Sequence, residues 1–114
     1  MINNKTFTAE VATSSADQQI GLSDRKSLGK DDGMLFVFDK PDYHIFWMHA
    51  MKFPLDMVFV LGNKVMAIFQ DLPPAKDQAP TYGSDVLSDK VLELNAGIVK
   101  KYNIKVGDTV KTNL

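Results

Sequence analysis

The sequence predicts a mainly β fold (β-rich α+β): a compact antiparallel sheet, barrel-like or sandwich-like, with one or two short helices. Apolar residues occur in many short runs, most of them long enough for a strand and too short for a helix. Turn signals built from glycine, proline and asparagine separate these runs. No linker or repeat divides the chain, so we expect a single domain over residues 1–114.

The first half of the chain predicts strands around one helix. Alternating polar and apolar residues at 7–11 indicate a half-buried strand. Residues 16–20 follow hydroxyl side chains and precede a glycine, which is typical of a short helix. A polar loop fills 23–33, and the apolar run 34–38 predicts a buried strand. The aromatic-rich segment 43–51 is also strand-like.

The second half of the chain predicts a hairpin, a long loop and a last strand. The strands are expected at 56–61, 64–69 and 86–95. Gly62-Asn63 joins the first two strands as a hairpin turn. Residues 71–85 hold three of the five prolines, and an irregular segment of that length is often functional. A helical turn is expected within 96–102.

Composition narrows the classes of partner. Thirteen Lys and Arg residues against fourteen Asp and Glu give a net charge of −1, so we predict no nucleic-acid partner. The absence of cysteine removes disulfides, thiolate metal sites and cysteine nucleophiles. No apolar run is long enough for a membrane span. No signal peptide is visible, so we expect a cytoplasmic protein, or an exported one if a leader has been removed.

Four stretches of the chain together carry a family resemblance. They are Gly21–Arg25; Gly33–Phe38; Phe46–Met48 with Pro54–Asp56 and Phe59; and Val91–Gly97 with Gly107-Asp108. On these stretches the sequence resembles the uncharacterised family known as domain of unknown function 192. The resemblance covers most of the chain, and it implies a predominantly β fold without an established activity.

The chain departs from the family pattern in three places. Ser23 stands where the family usually has methionine after Gly-Leu. The family's glutamate-arginine pair is Asp17-Gln18 here, so one cation is missing. His49-Ala50-Met51 replaces a polar Lys-Asn-Thr. A function that depends on those polar groups would therefore be in doubt for this protein.

Polar residues inside apolar stretches are informative, because burying an unpaired charge is costly. Arg25, Asp56 and Glu93 are of this kind. In a functional interpretation they line one pocket, with Arg25 as an electrostatic anchor and the carboxylates in acid-base or hydrogen-bonding roles. In a structural interpretation, which we favour, Arg25 pairs with one carboxylate and the other caps backbone amides. Glu93 could also point to solvent, away from Leu92 and Leu94.

The histidines do not predict a metal site. His44 and His49 are five residues apart, which places them on opposite faces of a strand and about 140° apart on a helix. We therefore predict no metal and no cofactor.

The aromatic strand offers a surface for stacking. If it is regular, Ile45, Trp47 and His49 share one face while Phe46 and Met48 share the other. A lone tryptophan in a small domain belongs to the core more often than to a binding platform.

Two hypotheses about function remain. We favour a non-catalytic domain that binds a small molecule, a glycan or a protein, with an oligomer as a further option. The alternative is a small hydrolase or lyase that uses paired carboxylates, Asp56 and Glu93, with Arg25. No phosphate loop, nucleophile elbow or zinc-protease motif is present, so we lean against an enzyme. The ligand-binding candidates are Arg25, Trp47, Met48, His49, Asp56, Glu93 and Asn95.

Overall fold

A computed structural model describes residues 1–76 and 78–114, which form a five-stranded sheet, a two-stranded sheet and two short helices. The strands are β1 (Thr8–Ala12), β2 (Asp32–Asp42), β3 (Phe46–Trp47), β4 (Leu55–Leu61), β5 (Lys64–Leu72), β6 (Thr81–Tyr82) and β7 (Ser88–Asn95). The helices are α1 (Ser15–Ile20) and α2 (Ile98–Lys101). The mainly β prediction is confirmed.

The large sheet has the order β1-β2-β7-β4-β5. Its pairs are antiparallel, as predicted, except that β1 and β2 run parallel, which makes the sheet mixed. A parallel pair needs a long crossover between its strands. Residues 13–31, which contain α1, supply that crossover and lie beside the end of β2.

Both faces of the large sheet are covered, so the fold is sandwich-like and not a closed barrel. Alternate residues of β4 and β7 point to opposite faces. Val58, Leu92 and Leu94 join the core beneath α2 and the chain termini, and we call this side the α2 face. Phe36 and Phe59 join a core that includes β3 and β6, and we call this side the aromatic face.

The ends of α1 match the sequence signals. The Ser14 hydroxyl accepts a hydrogen bond from the Asp17 amide at 3.1 Å, which caps the first turn. Gly21 ends the helix with φ of 52°. Within the described part of the chain, no helix is both long and apolar enough to cross a membrane.

Two segments differ from their predictions. Of the strand-like residues 43–51, only Phe46 and Trp47 form a strand, since Ala50 adopts a left-handed φ of 63° and breaks the extended chain. The predicted loop at 71–85 contains the end of β5 and the whole of β6. Asp77, within that predicted loop, lies outside the described residues.

Candidate functional site

A cleft of about 630 Å³ opens on the aromatic face, between α1, β2, β3 and β7. Its lining residues are Ser15, Gln18–Ser23, Phe36, Phe38, His44–Trp47, His49, Met51 and Glu93. The volume lies in the range of about 300 to 1,000 Å³ that small-molecule sites occupy.

Among the described residues, Glu93 is the only carboxylate that lines this cleft. It lies on β7 between Met34 of β2 and Met57 of β4, and its side chain is 5% exposed. Within residues 1–76 and 78–114, no hydrogen bond or salt bridge satisfies its carboxyl group. Burial therefore raises the pKa of Glu93 from its ordinary value of 4.5 to about 8. At neutral pH this side chain is mostly a neutral carboxylic acid, which can donate a hydrogen bond.

Aromatic rings form the wall beside Glu93. Phe36 and Phe46 meet edge to face, with ring centroids 4.9 Å apart. Phe38 packs edge to face on Phe46 at 6.1 Å and stacks on His44 at 3.6 Å. This chain of rings leads from the buried carboxyl group to the surface.

Gly21 allows the end of α1 to approach this wall closely. A Cβ atom at this position would lie 3.3 Å from the Phe36 ring and 3.8 Å from Glu93 Oε1. The Gln18 side-chain amide donates hydrogen bonds to the carbonyls of Ala12 and Val37, at 3.1 and 3.0 Å. These bonds fix α1 against β1 and β2, which sets the width of the cleft.

The outer rim of the cleft is apolar and exposed. Trp47 is 54% exposed and its ring lies 4.6 Å from that of His49, while Ile45 is 60% exposed. The predicted alternation is confirmed, since Met48 is 1% exposed and belongs to the core. The expectation that Trp47 is a core residue is wrong, because its face of β3 has no covering layer.

Arg25 lies outside the cleft. Its guanidinium forms a two-pronged ion pair with the Glu10 carboxylate, with Nη2 3.0 Å from Oε1. This pair lowers the pKa of Glu10 and raises that of Arg25. The predicted ion pair of Arg25 with Asp56 or Glu93 is therefore wrong, since its partner is Glu10.

Asp56 is buried on the α2 face, on the other side of the sheet from Glu93. Its register partner is Leu94, so the side chains of Asp56 and Glu93 leave the sheet in opposite directions. Its two carboxylate oxygens accept the backbone amides of Asp71 and Val99, at 2.8 and 2.9 Å. Burial raises the pKa of Asp56, and these two hydrogen bonds oppose that increase.

The structure does not bring Arg25, Asp56 and Glu93 together in one pocket, so the paired-carboxylate arrangement is wrong. Asn95 also lies away from the cleft, and its amide donates to the carbonyls of Leu28 and Gly29 at 2.9 and 3.0 Å. Of the ligand-binding candidates, Trp47, His49 and Glu93 line the cleft.

Both histidines line the cleft, but each lies against a different aromatic residue. His44 stacks on Phe38, and His49 lies against Trp47. In the described ranges, no group of three or more His, Asp or Glu residues is placed to hold a metal ion.

Most of the residues that line the cleft were not among the ligand-binding candidates, and these include Gln18, Gly21, Phe36, Phe38 and Phe46. The family resemblance marks several of these cleft residues. Each of the four stretches that carry the family resemblance contributes to the cleft, through Gly21, Phe36, Phe46 and Glu93.

Fold and site define a sandwich-like β domain with one buried acid in an aromatic cleft. The chain belongs to the DUF192 family, described as "Uncharacterized ACR", whose model matches residues 1–112. No curated protein matches the chain.

Two solved structures are similar to the chain over nearly its full length. One is a protein of unknown function from Novosphingobium aromaticivorans, 36% identical with a TM-score of 0.83, covering 93% of this chain and 75% of that one. The other, from Sinorhizobium meliloti, is described as a candidate transcription regulator. It is 32% identical with a TM-score of 0.83, and the match covers 90% of this chain and 79% of that one.

Proposed function

We propose that this chain is a non-catalytic binding domain that holds a small molecule in the cleft beside Glu93. The observation that supports the proposal is a buried carboxyl group without a partner, at the end of a wall of aromatic rings. The Glu93 side chain keeps 5% exposure and neither of its oxygens is fully enclosed, so its remaining access is through the cleft. A carboxyl group buried to this extent without a protein partner is rare, because it loses most of its hydrogen bonds to water. A ligand that hydrogen-bonds to Glu93 would remove that cost.

The dimensions of the cleft favour a small molecule over a protein or an extended glycan. Its volume suits a compact ligand, and the exposed rim at Ile45 and Trp47 would lose water when a ligand covers it. Catalysis by a carboxylate pair has no support, since no second carboxylate lines the cleft beside Glu93 in residues 1–76 and 78–114.

The description of the Sinorhizobium relative does not favour nucleic acid as a ligand of this chain. The net charge is −1, and no Lys or Arg lines the cleft. The absence of a nucleic-acid partner stays a prediction.

A thermal-shift screen tests the proposed function. The panel contains organic amines, small carboxylates, mono- and oligosaccharides, nucleotides and divalent metals. A ligand at about 100 times its Kd stabilises the fold by about 2.7 kcal/mol, which raises Tm by several degrees in a domain of this size. We expect Glu93→Gln and Trp47→Ala to abolish or weaken such a shift.

Matched controls come from outside the cleft. Glu10→Gln removes the other glutamate of the chain, and Tyr43→Ala removes an aromatic side chain that is 56% exposed but does not line the cleft. Both variants should keep the full ligand shift. The proposal is contradicted if no compound stabilises the protein, or if all four variants respond as the wild type does.

A further inference from the structure

The charge of the cleft is one-sided. Within the part of the chain that the structure describes, its lining contains no Lys or Arg, and Glu93 is its one carboxylate. The elements that pack around Glu93 add no charged group to it, since its neighbours on β2 and β4 are Met34 and Met57 and the end of α1 contributes Gly21. The other titratable side chains of the cleft are His44 and His49. Ionised Glu93 would therefore be an anion without a counter-ion.

The aromatic wall has the geometry that attracts cations. Ring faces carry negative potential, and a cation within about 6 Å of a ring centroid is stabilised by it. Phe36 and Phe46 stand perpendicular, with an interplanar angle of 86°, so a ligand in their corner meets one ring face and one ring edge. Trp47, the ring type that binds cations best, lies exposed at the rim.

A bare metal ion does not suit this site. Calcium and magnesium take about six or more oxygen ligands, and among the described residues no group of three or more His, Asp or Glu side chains is placed to hold a metal ion. A weakly hydrated organic cation loses less hydration free energy than a metal ion does on leaving water. Contact with the aromatic rings then stabilises the organic cation.

We propose that the cleft binds an alkylammonium group, with the Glu93 carboxylate as its counter-ion and the rings of Phe36, Phe46 and Trp47 as its walls. This inference rests on the proposed binding function and specifies its ligand class. A permanent cation can pair with Glu93 only after the acid has lost its proton.

Binding of such a cation is coupled to deprotonation of Glu93. Because burial raises the pKa of Glu93 to about 8, only a few per cent of the molecules carry the carboxylate at about pH 6.5, and most carry it at about pH 8.5. The apparent affinity for the cation scales with the fraction of molecules that carry the Glu93 carboxylate, so it should rise about 25-fold between these two pH values.

Choline and its neutral isostere 3,3-dimethyl-1-butanol provide a matched test, since they differ in charge and little in shape. Titrations of the full chain followed by ¹H–¹⁵N NMR measure Kd for both compounds at the two pH values. We expect choline to bind about 25-fold more tightly at the higher pH. The neutral isostere should bind more weakly there, without that pH dependence. Glu93→Gln should abolish the pH dependence of choline binding, while Glu10→Gln keeps it.

Any other outcome overturns the ammonium inference, and the outcomes show whether the proposed binding function fails with it. Equal binding of both compounds, or a choline affinity independent of pH, means that the cleft selects shape and not charge, and the proposed binding function stands. If neither compound binds but another class in the thermal-shift screen does, the ligand class is wrong. If nothing in that screen binds, the proposed function fails with it.

Discussion

Between pH 5 and pH 8, the wild-type protein is expected to lose roughly 3 to 4 kcal/mol of unfolding free energy relative to Glu93→Gln. In the unfolded chain Glu93 ionises near its ordinary pKa of 4.5, whereas in the folded protein burial raises its pKa to about 8. Between these values the folded state holds a proton that the unfolded state has released. A rise in pH therefore favours unfolding, by up to about 1.4 kcal/mol per pH unit.

Urea unfolding of both proteins across this pH range measures the effect. The pH dependence of other groups, including Asp56, is common to both proteins and cancels in the difference. Glu10→Gln is the control: the ion pair with Arg25 lowers the pKa of Glu10, so Glu10 is already ionised in both states throughout this range. Parallel stability curves for wild type and Glu93→Gln would show that Glu93 is not a buried, unpaired acid.

Asp56→Ala is expected to lower the unfolding free energy by about 3 to 5 kcal/mol. The Asp56 side chain is 0% exposed, and its carboxylate holds the amides of Asp71 and Val99. Its loss leaves the buried amide of Val99 and the partly buried amide of Asp71 without acceptors, and it disconnects the end of β5 and the start of α2 from β4. Urea or thermal unfolding at neutral pH measures the change.

Asp39→Ala is the matched control for this substitution. Asp39 is an exposed aspartate on β2, and its replacement should change stability by less than about 0.5 kcal/mol. A stability for Asp56→Ala within about 1 kcal/mol of the wild type would contradict the role assigned to this carboxylate.

Strand parity explains both the success and the failure of the sequence analysis at Glu93. Parity correctly places Glu93 on the face opposite Leu92 and Leu94. Whether that face meets solvent or a second layer depends on the packing of α1 and β3 against the sheet, and those contacts join residues far apart in the chain. The same limit applies to Trp47: alternation separates it from Met48, but cannot determine which of the two faces is covered.

The pairing of charged side chains was the least predictable part of the site. Arg25 and Glu10 meet because β1 pairs parallel with β2, and nothing local in the sequence indicates a parallel pair. Asp56 and Glu93 both interrupt apolar stretches, and only the register of β4 with β7 shows that they lie on opposite faces. The local elements were easier to predict from the sequence, since the Gly62-Asn63 hairpin and the ends of α1 depend on neighbouring residues.

The proposed site depends on Glu93 being an unpaired acid in the cleft, and ¹³C NMR of the carboxyl groups measures its protonation. The chain has two glutamates, Glu10 and Glu93, so selective ¹³Cδ-glutamate labelling gives two resonances, and Glu10→Gln assigns them. We expect the Glu10 resonance to titrate below its ordinary pKa and the Glu93 resonance near pH 8. If the Glu93 resonance titrates near 4.5 in the folded protein, its carboxyl group is solvated or paired, and the proposed site is contradicted.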